Sequence, residues 1–496
     1  MLNPNHQQAL QRCLPKANQL LTSPAECLAY QRDANFMAEG TPAAIALPDT
    51  TAQVAALVRA CVAHGLPTTA RGAGTGQSGG AVASAPNTLL ISFARMANLL
   101  ALQPHHRRAW VQPGLSNLAL SQAAAPHGLT FAPDPSSLKV STLGGNIAEN
   151  AGGIHCLGQG TTTDHVLALE WVTPSGEVVW TQPPHAHRAG AGWAWQRLLC
   201  GSEGTLGLVT GAWLRLSLLP THQQVVLASF ASLHQAAQAV GQLFRHGLEP
   251  AALELMDALT VQCVNRAFGL SLPDSAGSAL LLVEVQGHHL HEVASQTQAV
   301  ATLVNALGAT WQATATTPEE CRQFWQARQG AAASYGLVTP AFYVLDCVVP
   351  RQVLAEALAG FSQCAHAQGL TVAYVFHAGD GNVHPHLFFD PADEAQRKAV
   401  LVASKAISRL AVALGGVLSG EHGIGLEKRD LMSLQFSPAD LEPMAWVQHA
   451  VDPLGLANPC KLLPHASCCG GKAPPEAAMA LGGWRPEALA KHGLWV

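Results

Sequence analysis

The chain has 496 residues, enough for two or three domains with cores of their own. Hydrophobic residues make up 48% and charged residues only 12%, which excludes a long disordered chain, and a formal net charge of -5 argues against nucleic acid as the main partner. No run of about eighteen apolar residues is present, so no transmembrane segment is expected.

In chain order, residues 1–41 read as a helical lead-in. The opening, MLNPNHQQALQRCLPKANQL, has no basic segment followed by an apolar core, so no secretory signal is expected. The segment IALPDT (45–50) introduces a helix. Thr50 and Gln53 have capping-box spacing, Val54, Leu57, Val58, Cys61 and Val62 form an apolar face, and Gly65 ends it. A glycine loop follows at 71–80, then strands at 88–92 and at LALEWV (167–172), the latter turning through TPSGE into VVW as a hairpin does. Residues 206–218 again read as strand. Together 42–220 is expected to form one mixed α/β domain with ligand loops rich in glycine and asparagine.

Beyond Pro220 the pattern changes. VVLASF (225–230) leads into an apolar-periodic helix, followed by the strand ALLLVEVQG (279–287), the strand FYVLDCVV (342–349), a long helix and the strand TVAYVFH (371–377). This alternation predicts a layered domain over 221–440. Residues 441–465, with NPCKLL (458–463), are expected to pack back near the first domain, and 466–496 reads as a peripheral tail.

Twelve cysteines are scattered without a CxxC pair, and adjacent Cys468 and Cys469 are badly placed to bridge each other or share a metal. With no export signal expected, most of them read as reduced cytoplasmic thiols. No iron–sulfur or structural zinc motif is visible.

Three loops carry the ligand chemistry of the first half. RGAGTGQSGG (71–80) supplies Arg71, Gly72, Gly74, Thr75, Gly76, Ser78 and Gly79, a backbone able to approach a pyrophosphate closely. It follows a helix and the short stretch LPTTA and runs on toward a loop, so it is not a nicotinamide fingerprint. Alone, it reads equally well as a tight surface turn. PDPSSLKVSTLGGNIAENAGG (133–153) adds Pro133, Asp134, Ser141, Thr142, Gly144, Gly145, Asn146, Asn150, Gly152 and Gly153. GSEGTLGLVT (201–210) adds Glu203, Gly204, Gly207 and Val209. Glycine costs entropy on folding, and a large cofactor lying in an extended groove is a reason to accept that cost three times.

The second half carries the reactive groups. HAGDGNVHPH (377–386) brings His377 and His384 together if its turn folds back, with Asp380 and Asn382 shaping that turn. GEHGIGLEKRD (420–430) adds Glu421 and His422, while Lys428 and Arg429 read as solvated surface groups. Two imidazoles and a carboxylate suit a divalent transition ion with positions left open. The plain alternative is local polar contact within a turn, since 23 histidines make chance neighbours common.

These segments resemble a known family. RGAGTGQSGG resembles the pyrophosphate loop of vanillyl-alcohol-oxidase-type FAD domains. TLGGNIAENAGG, GQGTTTDHV (158–166, with Asp164 and Val166) and GSEGTLG resemble the flavin-contacting loops of its FAD-linked 2-hydroxy acid dehydrogenase branch. That branch holds glycolate dehydrogenase catalytic subunits, D-lactate dehydrogenases and D-2-hydroxyglutarate dehydrogenases, and the likeness covers about 42–464. It implies an α+β fold, a PCMH-type (p-cresol methylhydroxylase) FAD-binding domain joined to an α+β substrate, or cap, domain of the FAD-linked oxidase C-terminal type. It implies FAD held noncovalently by the loop residues above with Asn458; His155 and Cys156 lie near the loops in sequence, but nothing marks them for a covalent bond.

The resemblance further implies that His377, His384 and Glu421 hold a divalent metal, zinc before manganese or iron, with His422 as the base. Arg328 in FWQAR (324–328) matches the family's substrate-binding arginine, a planar fork for a carboxylate; its plain alternative is a surface arginine on a helix. The implied reaction is oxidation of a small 2-hydroxy acid, with electrons passed to an external acceptor beside a second flavin-type subunit and an iron–sulfur subunit. Val344 stands where 2-hydroxyglutarate enzymes carry a lysine, which favours glycolate or D-lactate over a dicarboxylate. The alternatives are a D-2-hydroxyglutarate or longer-chain dehydrogenase, the non-redox alkyl-glycerone-phosphate synthase branch, and a nonenzymatic flavoprotein subunit. The expected location is cytoplasmic, with peripheral association at the inner membrane face through partners; a homodimer is left open.

Overall fold

The computed structural model describes residues 2–35, 37–182 and 193–464; the expected tail, with Cys468 and Cys469, lies outside the described residues. In the first half, the strands Ala44–Ala46, Leu89–Ser92 and Thr68–Arg71 form a parallel sheet. The helix Thr51–His64 contributes Val54, Leu57, Val58 and Cys61 to the core shared with this sheet. Thr50 caps the helix by accepting from the Gln53 N–H, and Gly65 ends it at φ +62°. The Gln53 side chain instead accepts from the Asp49 N–H at 2.6 Å, one residue before the position a reciprocal box would use. The lead-in is not solely helical, because Leu20–Leu21 adds an antiparallel edge strand beside Ala44–Ala46.

A second sheet is antiparallel, in the order Leu99–Gln103, Arg108–Val111, Leu208–Arg215, Val166–Val172 and Val178–Trp180. The last two strands are the hairpin read from LALEWVTPSGEVVW, with Val172 opposite Val178.

The second half is built on a large sheet whose central strands are His222–Phe230, Ala279–Gly287, Ala252–Asp257 and Thr371–His377. Side chains alternate between its faces. One face sends Val226, Leu255, Leu281 and Phe376 into a core with the helices Leu233–Arg245, Leu290–Ala306 and Leu354–His366. The other sends Val225, Met256, Leu282 and Val375 against the helices Ala258–Phe268 and Pro318–Ser334.

FYVLDCVV, expected as one strand, is two. Ala341–Val344 pairs with Pro385–Phe389, and Cys347–Val348 pairs with Asn382–Val383. The break falls at Asp346, whose carboxylate is used elsewhere, as described below.

After the helix Pro438–Val451 the chain returns to the first half. The Thr68 N–H donates to Leu456 O and the Asn458 N–H to Thr68 O, and buried Lys461 donates to Val82 O and Ser84 Oγ. Among the described residues no helix is long and apolar enough to cross a membrane, and the ten described cysteines are all free.

Candidate active site between the two halves

One cavity runs from the glycine loops of the first half to the histidines of the second. Gly72, Gly74, Thr75 and Gly76 line it from the first loop, Thr142, Gly144, Gly145, Asn146 and Gly152 from the second, and Glu203, Gly204, Gly207 and Val209 from the third. The wall has no room for side chains where the loops meet: a Cβ on Gly72 would lie 2.1 Å from Thr142 Oγ1. Gly74 needs its φ of +71°. Asn146 Nδ2 is buried on this wall without a hydrogen-bond partner among the described residues, a donor placed for a bound group.

The other expected cofactor residues stand behind the lining and shape it. Arg71 donates to Arg32 O at 2.7 Å, tying the lead-in to the first loop. Ser78 O accepts from the N–H groups of Leu426 and Glu427, and Gly79 lies beneath the Leu426 side chain. Pro133 O and Ser141 O hold Asn117, while Asp134 binds His155. Asn150, at φ +53°, ends the helix Leu143–Glu149 and accepts from the Thr163 N–H. Gly153 packs on the Asp134 backbone, Asp164 caps Thr161, and Val166 lies in the core. Asn458 braces three segments, accepting from Thr69 Oγ1 and donating to Gly80 O and Glu203 O. Glu203 lines the cavity, but its carboxylate is engaged across the halves by the N–H groups of Ile424 and Gly425 at 2.7 and 2.8 Å.

At the far end of the cavity, His377, His384 and Glu421 converge, with one ligand atom from each within 4.8 Å of the others. His377 is the last residue of its strand and sits directly opposite Glu254. Its Nδ1 contacts Glu254 Oε1 at 2.8 Å, and its Nε2 lies 3.3 Å from Glu421 Oε1. His384 Nδ1 donates to Leu345 O at 3.1 Å, leaving Nε2 buried, 3.2 Å from Glu421 Oε1 and without a hydrogen bond. An orphaned imidazole nitrogen is costly unless it has another partner, so this donor set fits a metal ion. Burial pushes the Glu421 carboxyl up, but His377 and His384 outweigh it and hold it well below the usual range, so it is anionic. Burial pulls His377 down, while Glu254 and Glu421 hold it well above the usual value: the pocket favours positive charge.

His422 stacks on His384 with centroids 5.1 Å apart and planes 4° from parallel. Burial, with His384 and Lys428, outweighs the carboxylates of Asp346 and Glu421 and lowers its pKa to about 4. The imidazole is neutral at physiological pH. Its loop is held by Asp346, which accepts from Ser419 Oγ at 2.6 Å and from the N–H groups of Gly420, Glu421 and His422. Burial would raise the Asp346 pKa, but Lys428, His422 and His384 hold it well below the usual carboxylate range.

Lys428 is not a solvated surface group. It is 1% exposed, and its Nζ donates to Asp346 O and Oδ2 at 3.1 and 3.2 Å. Arg429 is also mostly covered and donates to Cys460 O at 2.6 Å. The run EKRD looked solvated because its partners are distant in sequence.

Arg328 is buried on the inner side of the helix Pro318–Ser334 and lines the cavity with Ala332, Phe342, Val344, Val375 and His386. The helix is fixed by a full capping box at Thr317 and Glu320. Arg328 Nε donates to Glu254 Oε2 at 2.5 Å; neither terminal nitrogen has a partner among the described residues. One helical turn earlier, Trp325 Nε1 donates to Glu284 Oε2 at 2.5 Å.

Sequence reasoning missed Glu254, Glu284, Asp346, Glu149 and His386. Each had a signal: an acid flanked by leucines in ALELMD, a single acid within the apolar strand ALLLVEVQG, an acid interrupting FYVLDCVV, the acid of NIAENAGG, and the third histidine of HAGDGNVHPH. Glu149 lines the cavity, and burial with Glu203 and Asp33 raises its carboxyl well above the usual range. His386 Nδ1 donates to His384 O at 2.8 Å, and burial lowers its pKa to about 3.

Residues 42–182 match the model of the FAD binding domain, and 219–462 that of the C-terminal domain of FAD linked oxidases. The chain is 38% identical over 451 residues to the glycolate oxidase subunit GlcD of Escherichia coli strain K12, covering 91% of this chain and 89% of that one. It is 31% identical over 421 residues to D-lactate dehydrogenase of Anaerostipes hadrus, covering 83% and 88%. Among solved structures, p-cresol methylhydroxylase with substrate bound superposes with a TM-score of 0.76 at 15% identity, covering 92% of this chain and 96% of that one, a likeness of fold. The chain belongs to the FAD-linked oxidase family and is a flavoprotein oxidoreductase that binds FAD.

Proposed function

We propose that this enzyme oxidises a small 2-hydroxy monocarboxylate, glycolate or D-lactate, to the 2-oxo acid and passes the electrons to an external acceptor. The observation that carries the reading is the single cavity in which a flavin-domain wall faces Arg328, His422 and the His377–His384–Glu421 cluster. Arg328 binds the substrate carboxylate through its free terminal nitrogens. His422, neutral and largely buried, takes the hydroxyl proton onto its imidazole. His377, His384 and Glu421 hold a divalent ion, zinc before manganese or iron. When bound, that ion supplies a Lewis acid beside the hydroxyl, and FAD supplies the acceptor for the hydride equivalent from the 2-carbon. Asp346 holds the His422 loop in place.

Phe342, Val344 and Val375 make the wall near Arg328 apolar, which suits a hydrogen or methyl group at the 2-carbon and not a second carboxylate. The similarity to a protein named as a subunit supports electron transfer within an assembly; a second flavin-type subunit and an iron–sulfur subunit at the inner membrane face are the partners we propose for it.

The test is anaerobic flavin absorbance of the FAD-loaded protein with Zn²⁺ or Mn²⁺, against glycolate, D-lactate, L-lactate and D-2-hydroxyglutarate. Rapid bleaching by glycolate or D-lactate is expected. Bleaching mainly by D-2-hydroxyglutarate overturns the monocarboxylate reading, and bleaching by none overturns the 2-hydroxy acid reading.

A further inference from the structure

We propose that Glu254 is a positioning residue that sets two functions of the site with one side chain, orienting the metal-binding imidazole of His377 through Oε1 and the carboxylate-binding guanidinium of Arg328 through Oε2. The inference rests on the roles proposed above for His377 and Arg328, and it adds a coupling between them.

Glu254 occupies the middle of the strand Ala252–Asp257, with Leu253 and Leu255 pointing to the opposite face. Its side chain has no solvent exposure. A charge there is expensive unless fully paired, and both oxygens are used, at 2.8 Å to His377 Nδ1 and 2.5 Å to Arg328 Nε.

The two contacts choose which atoms face the cavity. Contact with a carboxylate keeps a proton on His377 Nδ1, so Nε2 is the nitrogen turned toward Glu421 and free for a metal. Contact through Arg328 Nε leaves the two terminal nitrogens for a ligand carboxylate. Because one planar carboxylate serves both, it cannot rotate to improve one contact without loosening the other.

A purely structural ion pair, fastening the helix Pro318–Ser334 to the sheet, is the competing reading. The molecule contains its own control. Glu284, on the adjacent strand and the same face, fastens the same helix through Trp325 Nε1 and contacts neither His377 nor Arg328. Glu284→Gln is therefore the matched variant for helix docking, and Glu254→Gln the variant for positioning.

The experiment uses the full FAD-loaded chain and reads two affinities without turnover: Zn²⁺ by competition with a chromophoric chelator, and propionate by perturbation of the flavin visible spectrum. Glu254→Gln is expected to weaken Zn²⁺ binding about 10- to 100-fold and propionate binding about 10-fold or more. Glu284→Gln is expected to lower thermal stability and leave both affinities unchanged. If Glu254→Gln does not fold, Glu254→Asp, which withdraws the carboxylate by one methylene, is expected to weaken the same two affinities. Wild-type affinities in a folded Glu254 variant, or equal losses in Glu284→Gln, overturn the proposal. A wild-type flavin reduced by no 2-hydroxy acid, with Zn²⁺ affinity still dependent on Glu254, sinks the substrate reading and leaves the positioning role standing.

Discussion

The two faces of the large sheet are made by the same strands and differ by one residue of register. On one, Val226, Leu255, Leu281 and Phe376 meet three helices in an apolar core. On the other, Glu254, Glu284 and His377 interrupt the apolar pattern, and Trp325 and Arg328 reach down from a single helix to meet the two acids. The first face is generic, because any well-packed set of apolar side chains would hold it. The second tolerates charge only because each charged group has a named partner, so it carries information about function that the first cannot.

The sharpest way to test this contrast is to damage each face separately. His422→Ala, above the polar face, is expected to slow substrate-dependent flavin reduction about 10²- to 10⁴-fold while FAD content and thermal stability stay near wild type. Stopped-flow absorbance and a thermal melt read the two quantities. Phe376→Ala, adjacent in sequence to His377 but facing the dry core with 0% exposure, is expected to do the reverse. It should cost about 3–5 kcal/mol of stability in a denaturant titration, with flavin reduction retained in the folded protein at low temperature. Equal losses of activity and stability in both variants would erase the distinction between the faces.

Arg328→Met tests the polar face from the helix side. Loss of charge-assisted hydrogen bonds to a substrate carboxylate corresponds to about 2–3 kcal/mol, read as a rise in KM for glycolate or D-lactate larger than any fall in kcat. The variant also strands Glu254 as a buried carboxylate, so a stability loss accompanies it. A KM unchanged within twofold would remove Arg328 from substrate binding.

The contrast also explains what was legible in the sequence. Strand alternation, glycine loops, H-x6-H and E-H are local patterns, and the elements they mark stand close to where they were read. The supporting groups depend on partners far along the chain: Glu254 with Arg328, Asp346 with the loop at 419–422, and Lys428 with Asp346. Local periodicity continues through Asp346 as one strand, yet the strand breaks there because the carboxylate gathers three backbone N–H groups of another loop. The same logic hid Lys428 inside a charge run. Where a local rule fails here, a long-range polar partner is the reason.

The smallest expected effect concerns the outer part of the polar face, where the two halves meet. His155, from the second glycine loop, contacts Asp134 Oδ2 through Nδ1 at 2.5 Å and Glu284 Oε1 through Nε2 at 2.8 Å. Its other polar neighbours are Gln286, which approaches Nε2 at 3.1 Å, and Trp325, whose ring lies 6.1 Å away. Burial lowers the His155 pKa, but Asp134 and Glu284 outweigh it and raise it well above the usual value, so the folded state prefers the imidazolium. A base whose folded pKa exceeds its unfolded value of about 6.5 stabilises fully below that value, and the contribution is lost as pH rises through the folded pKa. Stability from this group should therefore decline on the alkaline side. Denaturant titrations of wild type and His155→Gln across neutral to alkaline pH measure it as a difference of slopes, which cancels the other titrating groups. The wild type should lose stability faster than the variant as pH rises. Parallel curves would mean that the clamp between the halves holds without its charge, and that the second acid of the polar face is structural by shape alone.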